Sequence, residues 1–134
     1  MKWILGKNNI NEAMFEEVEN ELLVKFPNEY KKIVLENNGG SPEFNIFNTK
    51  QTDGRVAEYL LSFDLKEKMN ILETYKGLKD RLPLKIIPII SDPFGNYVCI
   101  DFSQASLGIV FWEHESNKIE KVTDSFIDFI NSLY

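Results

Sequence analysis

The stretch "KIIPIISDPFGNYVCIDF", residues 85–102, carries the clearest structural pattern in the chain. Two apolar runs flank "SDPFGN", a segment of residues that favour turns for specific backbone reasons. After this turn, Tyr97, Cys99 and Asp101 alternate with apolar residues, which is the two-residue period of a strand. Pro88 cannot donate to a strand ladder and therefore marks an edge or a bulge. The stretch predicts two strands joined by a turn.

Further strands are predicted on both sides of this pair. The run "LGIVFWEH" follows after the short polar link "SQAS", and short links join antiparallel neighbours. Upstream, "EFNIFN" alternates as a short strand. The run "RVAEYLLSF" fits neither the helical nor the strand period, and its place after the turn signal "TDG" favours a strand.

Two helices are predicted near the N-terminus. In "NINEAMFEEVENELLVKF" the apolar residues, Leu23 among them, recur at helical spacing after Asn11, a plausible N-cap. Pro27 interrupts the chain, and "NEYKKIVLENNGG" begins a second helix with Asn28 as its cap. The pair Asn38–Gly39 is expected to end this helix in a left-handed conformation.

Two more helices complete the pattern. "DLKEKMNILETYKGLKDRLP" predicts a helix that begins with a capping box of Asp64 and Glu67 and ends at a proline. "TDSFIDFINSL" predicts a closing helix, with Thr123 as its cap and Val122 packed on Ile127 as a hydrophobic staple. Helices, a sheet interrupted by a helix and a closing helix predict one α+β domain over residues 1–134.

The charge and cysteine content restrict the kind of protein. The net charge is −6, and residues 92–134 carry most of it, with seven acidic side chains against two lysines. Phosphate backbones repel such a surface, which argues against nucleic-acid binding, whereas a basic protein partner suits it. The single cysteine excludes an internal disulfide. No signal peptide or apolar run of membrane-spanning length is evident, so we expect a cytoplasmic protein that does not bind membranes.

Asp92 and Asp101 are the first candidates for a catalytic pair. An extended strand over residues 96–101 would separate their carboxylates by more than about 15 Å, at about 3.3 Å per residue. Glycoside hydrolysis requires two carboxylates about 5 to 10 Å apart. We therefore interpret Asp92 as a turn residue and Asp101 as a strand residue.

Other chemistry finds little support in the sequence. His114 is the only histidine, and one cysteine and one histidine are too few for a zinc site. The segment "DPFGNYVCID" lacks the oxygen ligands of a calcium loop, and "NNGG" lacks the lysine of a phosphate loop. Cys99 is interpreted as a small strand residue. We predict no catalytic, cofactor-binding or metal-binding residue and no small-molecule substrate, although a hydrolase using Asp92, Asp101 and His114 stays an alternative.

Four segments in order resemble the SUKH superfamily. "FPNEYKKIVLENNGG" resembles its helix pair, which ends in Asn-Gly-Gly, and "LPLKIIPIISDPFGNYVCID" is similar to its Ile-Pro-Ile…Asp…Gly-Asn core. "GIVFWEHES" resembles its Trp-Asp-His-Glu strand, and "TDSFIDFINSLY" its closing helix. The sequence departs from this pattern at Pro93–Phe94, where glycines are common, and at Glu113, where aspartate is commoner.

The resemblance implies a twisted, mostly antiparallel sheet with helices packed around it. It also implies an immunity protein that binds and neutralises a polymorphic toxin, many of which are nucleases, and no enzyme activity. An intracellular adaptor or regulator of the same fold is the alternative. Because residues 92–117 contain four acidic residues and no Lys or Arg, we expect an acidic partner-binding face there. Its predicted members are Glu43, Asp92, Glu113, His114 and Glu115.

Overall fold

The computed structural model describes residues 1–134 and shows a single-domain α+β fold, as predicted. In chain order the elements are β1 (Trp3–Ile4), α1 (Glu12–Leu22), α2 (Asn28–Asn37), β2 (Ser41–Pro42), β3 (Ile46–Phe47), β4 (Arg55–Val56), β5 (Tyr59–Leu60), α3 (Ile71–Leu78), β6 (Ile86–Ser91), β7 (Tyr97–Asp101), β8 (Ile109–Glu113), β9 (Lys118–Thr123) and α4 (Phe126–Ser132). None of the helices is long and apolar enough to cross a membrane.

The central sheet contains five strands in the order β5-β6-β7-β8-β9, so every neighbour in space is also a neighbour in sequence. All of its pairings are antiparallel, and the short links predicted this for β6–β7 and β7–β8. Two antiparallel ribbons, β1–β2 and β3–β4, lie outside this sheet. Because β6, β7 and β8 are antiparallel, the C-terminal ends of β6 and β8 and the N-terminal end of β7 lie at one margin of the sheet.

The alternation predicted for β7 is confirmed, and it assigns the strand residues to two cores. Val98 and Ile100 belong to the large core cluster, whereas Cys99 belongs to a smaller cluster on the opposite face. Trp112 lies in the smaller cluster and is opposite Tyr97 in the β7–β8 register. Burial raises the pKa of the Cys99 thiol, which agrees with its interpretation as a small strand residue.

Pro88 lies at a bulge, one of the two positions predicted for it. The β6–β7 register shifts between Pro88 and Ile90, while β6 itself is an inner strand between β5 and β7. Ile89 and Ile90 are consecutive, yet both belong to the large core cluster. The bulge therefore allows a proline in an inner strand. It also directs two consecutive side chains, Ile89 and Ile90, to the same core.

The N-terminal helices form as predicted, with three differences at their ends. Asn11 caps α1, because its Oδ1 accepts the N–H of Met14 at 2.9 Å. Leu23, predicted as part of the apolar helical pattern, is the left-handed C-cap of α1 and is exposed, so that assignment was wrong. The N-cap of α2 is Pro27, so Asn28 is the first helical residue and does not cap it. Gly39 has the left-handed conformation (φ 73°), but Asn38 does not.

Asn38 instead forms a buried polar junction and is 1% exposed. Its Nδ2 donates to Asn9 Oδ1 at 3.1 Å and to Ser62 Oγ at 3.0 Å, and its Oδ1 accepts the N–H of Phe63 at 2.9 Å. Its backbone exchanges two hydrogen bonds with Lys7. The "NNGG" segment therefore joins three distant parts of the chain, which is a structural role.

The predicted start of the middle helix was wrong. Helix α3 begins at Ile71, with Asn70 as its cap, because Asn70 Oδ1 accepts the N–H of Glu73 at 2.9 Å. Asp64 closes a local turn instead, since its Oδ1 accepts the N–H of Lys66. A side chain that bonds nearby backbone in this way competes with helix formation.

The closing helix also begins later than predicted. Ser125 caps α4 through the N–H of Asp128, and Thr123 donates its hydroxyl to the carbonyl of Ser125. Ile127 is exposed, so the predicted staple with Val122 was wrong. The segment "RVAEYLLSF" is extended but forms two short strands, β4 and β5, while strands β1, β2 and β9 were not predicted.

Candidate partner-binding site

The turn between β6 and β7 is built around the buried carboxylate of Asp92, which is 6% exposed. Its Oδ1 accepts the N–H groups of Phe94 and Asn96, both at 2.8 Å, and its Oδ2 accepts Asn96 Nδ2 at 3.0 Å. Gly95 supplies the left-handed backbone (φ 87°) that completes the turn. Asp92 therefore shapes the turn, and the turn-residue interpretation is confirmed.

Asn96 joins this turn to the end of β8. Its Oδ1 accepts the backbone N–H of His114 at 2.9 Å and lies 2.8 Å from the ring Nδ1 of the same residue. A Cβ atom on Gly95 would lie 3.3 Å from the His114 ring, so the glycine permits the close approach of the ring. Four residues from two separate motifs, Asp92, Gly95, Asn96 and His114, thus form one network.

The polarity of this network determines which nitrogen of His114 carries the proton. A backbone N–H can only donate, so the Asn96 atom facing it must be the oxygen. Because the amide oxygen of Asn96 faces His114, its amide nitrogen faces the carboxylate of Asp92. Nδ1 of His114 therefore donates to Asn96 Oδ1, and in the neutral ring the lone pair is at Nε2.

Glu113 is held by two partners at the end of β8. Its Oε1 accepts the hydroxyl of Ser116 at 2.8 Å, and its Oε2 accepts Nη2 of Arg55 at 2.9 Å. The hydrogen bond from Ser116, and then that from Arg55, lower the pKa of the Glu113 carboxyl. The Arg55 guanidinium also lies 4.7 Å from the ring centroid of Phe111.

A second arginine supports the same strand end. Arg81 donates through Nη2 to the backbone carbonyl of His114, and its guanidinium lies 5.3 Å from the ring centroid of Trp112. Arg55 and Arg81 both come from segments far from β8 in sequence. The site is therefore a mixture of both charges, although residues 92–117 contain no Lys or Arg.

An open surface pocket of about 260 Å³ lies over these groups. Its lining residues are Arg55, Phe94, Asn96, Glu113, His114 and Glu115. Phe94 is 70% exposed at the tip of the β6–β7 turn, and Glu115 is also exposed. Aromatic side chains are enriched in protein–protein interfaces, which makes Phe94 the candidate apolar contact of this surface.

The structure brings together some of the five predicted residues. Glu113, His114 and Glu115 line the pocket, and Asp92 lies beneath it with its carboxylate directed at the turn backbone. Glu43 lies apart, after β2, where its N–H donates to the carbonyl of Lys2, and it does not line the pocket.

Sequence reasoning missed four contributors, Arg55, Arg81, Phe94 and Asn96. A signal existed for two of them, because Phe94 marked a departure from the family pattern and Asn96 belonged to the Gly-Asn motif. No local sequence pattern indicated that Arg55 or Arg81 belongs to the site.

Asp101 belongs to the opposite end of β7, where it pairs with Ile86. Its Oδ1 accepts the N–H and the hydroxyl of Ser103, so it shares no partner with Asp92. No group of three or more His, Cys, Asp and Glu side chains is arranged to hold a metal ion.

Comparison with known proteins identifies the relatives of this fold. A family model named SUKH_6 and described as "SMI1-KNR4 cell-wall" matches residues 12–130. The chain belongs to the SUKH_6 family. It is also similar to the "SPbeta prophage-derived uncharacterized protein YokK" of Bacillus subtilis (strain 168), with 35% identity over 79 residues. That match covers 56% of this chain and 38% of the relative, so the chain spans well under half of the relative's length.

In this SUKH_6 chain, the motifs that carried the resemblance have two different roles. Asn38 and Gly39 hold together the N-terminal part of the fold. Asp92, Asn96 and His114 instead hold a surface turn against a strand end. Asn96 and His114 of this second group line the surface pocket, which makes this margin of the sheet the candidate site.

Proposed function

We propose that this chain is an immunity protein that binds a cognate polymorphic toxin domain and neutralises it by covering the surface that the toxin needs. The observation that carries the proposal is the family match over residues 12–130. The match supports membership of the SUKH superfamily, whose domains are often toxin immunity proteins. The chain acts by binding, without catalysis, a cofactor or a small-molecule substrate, in the cytoplasm.

The charge of the chain supports a basic partner, and we propose a nuclease toxin. Nucleases bind phosphate with basic surfaces. An acidic protein associates rapidly with such a surface through electrostatic attraction and then covers it. The chain carries a net charge of −6, most of it in residues 92–134. Neither nucleic acid nor membrane is part of this function.

We propose that the partner contacts the margin formed by the β6–β7 turn and the end of β8. Glu113, His114 and Glu115 supply the polar contacts. Asp92 contributes by holding the turn, since its carboxylate is occupied by three donors. Glu43 contributes at the periphery, from the segment after β2.

Co-expression tests the proposal. The C-terminal domain of the toxin encoded by a neighbouring gene is expressed in a susceptible host with and without this chain. We expect survival and a stable purified complex when the chain is present. Continued lethality at matched expression would contradict the proposal.

A charge-reversal variant tests the location of the site. Glu115→Lys changes an exposed carboxylate in the pocket, and Glu21→Lys changes the net charge equally on the exposed part of α1. We expect Glu115→Lys to slow association with the toxin about tenfold at low salt and to reduce the salt dependence of that rate. Equal effects of the two variants would place the interface elsewhere.

A second candidate function is an intracellular adaptor or regulator without a toxin partner. The description of the matching family, "SMI1-KNR4 cell-wall", favours it. Affinity purification from the native host distinguishes the two functions, because an adaptor returns resident cellular proteins and an immunity protein returns a toxin.

A further inference from the structure

The pocket at the end of β8 contains groups that already have partners and groups that do not. Glu113 is bound by Arg55 and Ser116, and Asn96 is bound by Asp92 and His114. Besides the buried Nε of Arg55, three features of the lining remain unpaired within the chain: the Nε2 of His114, the carboxylate of Glu115 and the ring of Phe94. These three features determine what the pocket can bind.

Each of these three features favours a cation that carries N–H donors. The network with Asn96 leaves the Nε2 of neutral His114 as a hydrogen-bond acceptor. The carboxylate of Glu115 is an acceptor and a negative charge. The face of the Phe94 ring attracts a cation through its quadrupole. The charge of Arg55 is already paired with Glu113, so a carboxylate or phosphate ligand would meet the negative charge of Glu115 without a free cation to offset it.

An aromatic ring beside a hydrogen-bond acceptor occurs twice more at this end of the sheet. Each time an arginine of the chain lies over the ring and binds the acceptor. Arg55 lies over the ring of Phe111 and binds the carboxylate of Glu113. Arg81 lies over the ring of Trp112 and binds the carbonyl of His114. Phe94 is an exposed ring beside similar acceptors, and no cation of the chain lies over it.

We propose that the pocket receives an arginine side chain of the partner, with its guanidinium stacked on Phe94 and its N–H groups bound by Glu115 and by the Nε2 of His114. Arginine fits better than lysine because a planar guanidinium can stack on a ring and donate in its own plane to two acceptors. The inference rests on the proposed function for the identity of the occupant, which is an arginine of the toxin. In this arrangement Phe94 is the anchor residue of the interface, the side chain on which the arginine of the partner stacks.

The hydrogen bonds of the β6–β7 turn prepare Phe94 for binding. Phe94 lies between Asp92, which binds its N–H, and Gly95, which packs against the ring of His114. The turn therefore holds the backbone of Phe94 and the ring of His114 in position before the partner arrives, which reduces the conformational freedom lost on binding.

A titration of the isolated chain tests the pocket without the toxin. The ¹⁵N-labelled protein is titrated with arginine amide, lysine amide and citrulline amide, the last having nearly the shape of arginine but an uncharged side chain. We expect arginine amide to shift the backbone signals of Phe94, His114 and Glu115 in a saturable way, with a Kd of about 10 mM, equivalent to about −3 kcal/mol. We expect lysine amide to bind about threefold more weakly and citrulline amide about tenfold more weakly.

Variants identify the groups responsible. Phe94→Ala and Glu115→Gln should each weaken the binding of arginine amide about two- to fivefold, and the double variant about tenfold. Leu84→Ala removes a side chain that is 80% exposed elsewhere and should leave the Kd unchanged. Equal binding of arginine amide and citrulline amide, or of arginine amide and lysine amide, would overturn the inference. A Kd for arginine amide that is unchanged in the double variant would also overturn it.

The outcomes separate this inference from the proposed function. If the titration fails while the chain still neutralises the toxin domain, the arginine pocket is wrong and the immunity function stands. If arginine amide binds as expected but no toxin is neutralised, the pocket stands and the proposed function is wrong.

Discussion

Asn96 and His114 are held together through a single oxygen atom: Oδ1 of Asn96 accepts the backbone N–H of His114 at 2.9 Å and its ring Nδ1 at 2.8 Å. The other end of the Asn96 amide donates to Asp92 at 3.0 Å. One buried side chain therefore fixes both the position of a surface turn and the proton of a histidine ring. A change at Asn96 should affect both properties together.

The first prediction concerns the tautomer of His114. In the wild-type protein at a pH where the ring is neutral, we expect the proton at Nδ1, with Nε2 unprotonated. Two-dimensional NMR of ¹⁵N-histidine-labelled protein measures this directly, because the two ring nitrogens have different shifts in each tautomer. Asn96→Ala should shift the ring towards the Nε2–H form and destabilise the fold by about 2–3 kcal/mol. A wild-type ring protonated at Nε2 would contradict the assigned network.

The second prediction concerns Asn38, whose amide makes three hydrogen bonds, two of them buried. Asn38→Ala leaves the N–H of Phe63 and the hydroxyl of Ser62 without this partner. We expect a loss of about 2–4 kcal/mol in the free energy of unfolding, measured with urea. Asn37→Ala is the matched control, since its side chain makes one hydrogen bond, to Ile33, and should cost less than about 1 kcal/mol. Equal costs for the two variants would contradict the role given to Asn38.

The third prediction concerns the hydroxyl of Tyr30, which is buried and makes no hydrogen bond. Burial also raises the pKa of the Tyr30 phenol well above its usual value of 10.0. Tyr30→Phe removes the unpaired hydroxyl and keeps the ring that packs against Phe26, Phe63 and Phe126. We expect unfolding stability to stay the same or to rise by about 1 kcal/mol. A loss of stability would mean that the hydroxyl has a partner.

The fourth prediction concerns the pH dependence of stability due to Glu113. Ser116 and Arg55 lower the pKa of this carboxyl in the folded state below its usual 4.5. Because the folded-state pKa is the lower one, the carboxylate adds stability above pH 4.5, and this contribution is lost as the pH falls through the folded-state pKa. We expect Glu113→Gln to have a lower Tm than wild type at pH 7 and a smaller difference at pH 3. A difference that is constant over this range would exclude the contribution.

The part of the fold that could be predicted from the sequence is the part specified by local patterns. The β6–β7 hairpin was predicted because alternating side chains and turn residues follow each other directly in the chain. The helix starting at Asp64 was wrong because its spacing to Glu67 also suits a local turn, and Asn70 supplied the actual cap. Strand β9 was missed because "KIEKVT" is an edge strand with charged, partly exposed side chains and no apolar run.

For the same reason, only those site residues that lie close together in the sequence were predicted. The acidic residues at the end of β8 could be read from one short segment. The arginines could not, because Arg55 is 58 residues from Glu113 and Arg81 is 33 residues from His114. Only the tertiary fold brings these charges together, so counting charges along a segment described the surface as more acidic than it is.

The central claim, that this chain neutralises a toxin by binding it, is tested most directly by titrating the purified toxin domain of the neighbouring gene with the purified chain. The measured quantity is the remaining toxin activity at each molar ratio. We predict that activity falls in proportion to the added chain and reaches zero at a fixed ratio, with Phe94→Ala requiring a measurable excess. Full toxin activity in the presence of a large excess of wild-type chain would contradict the account.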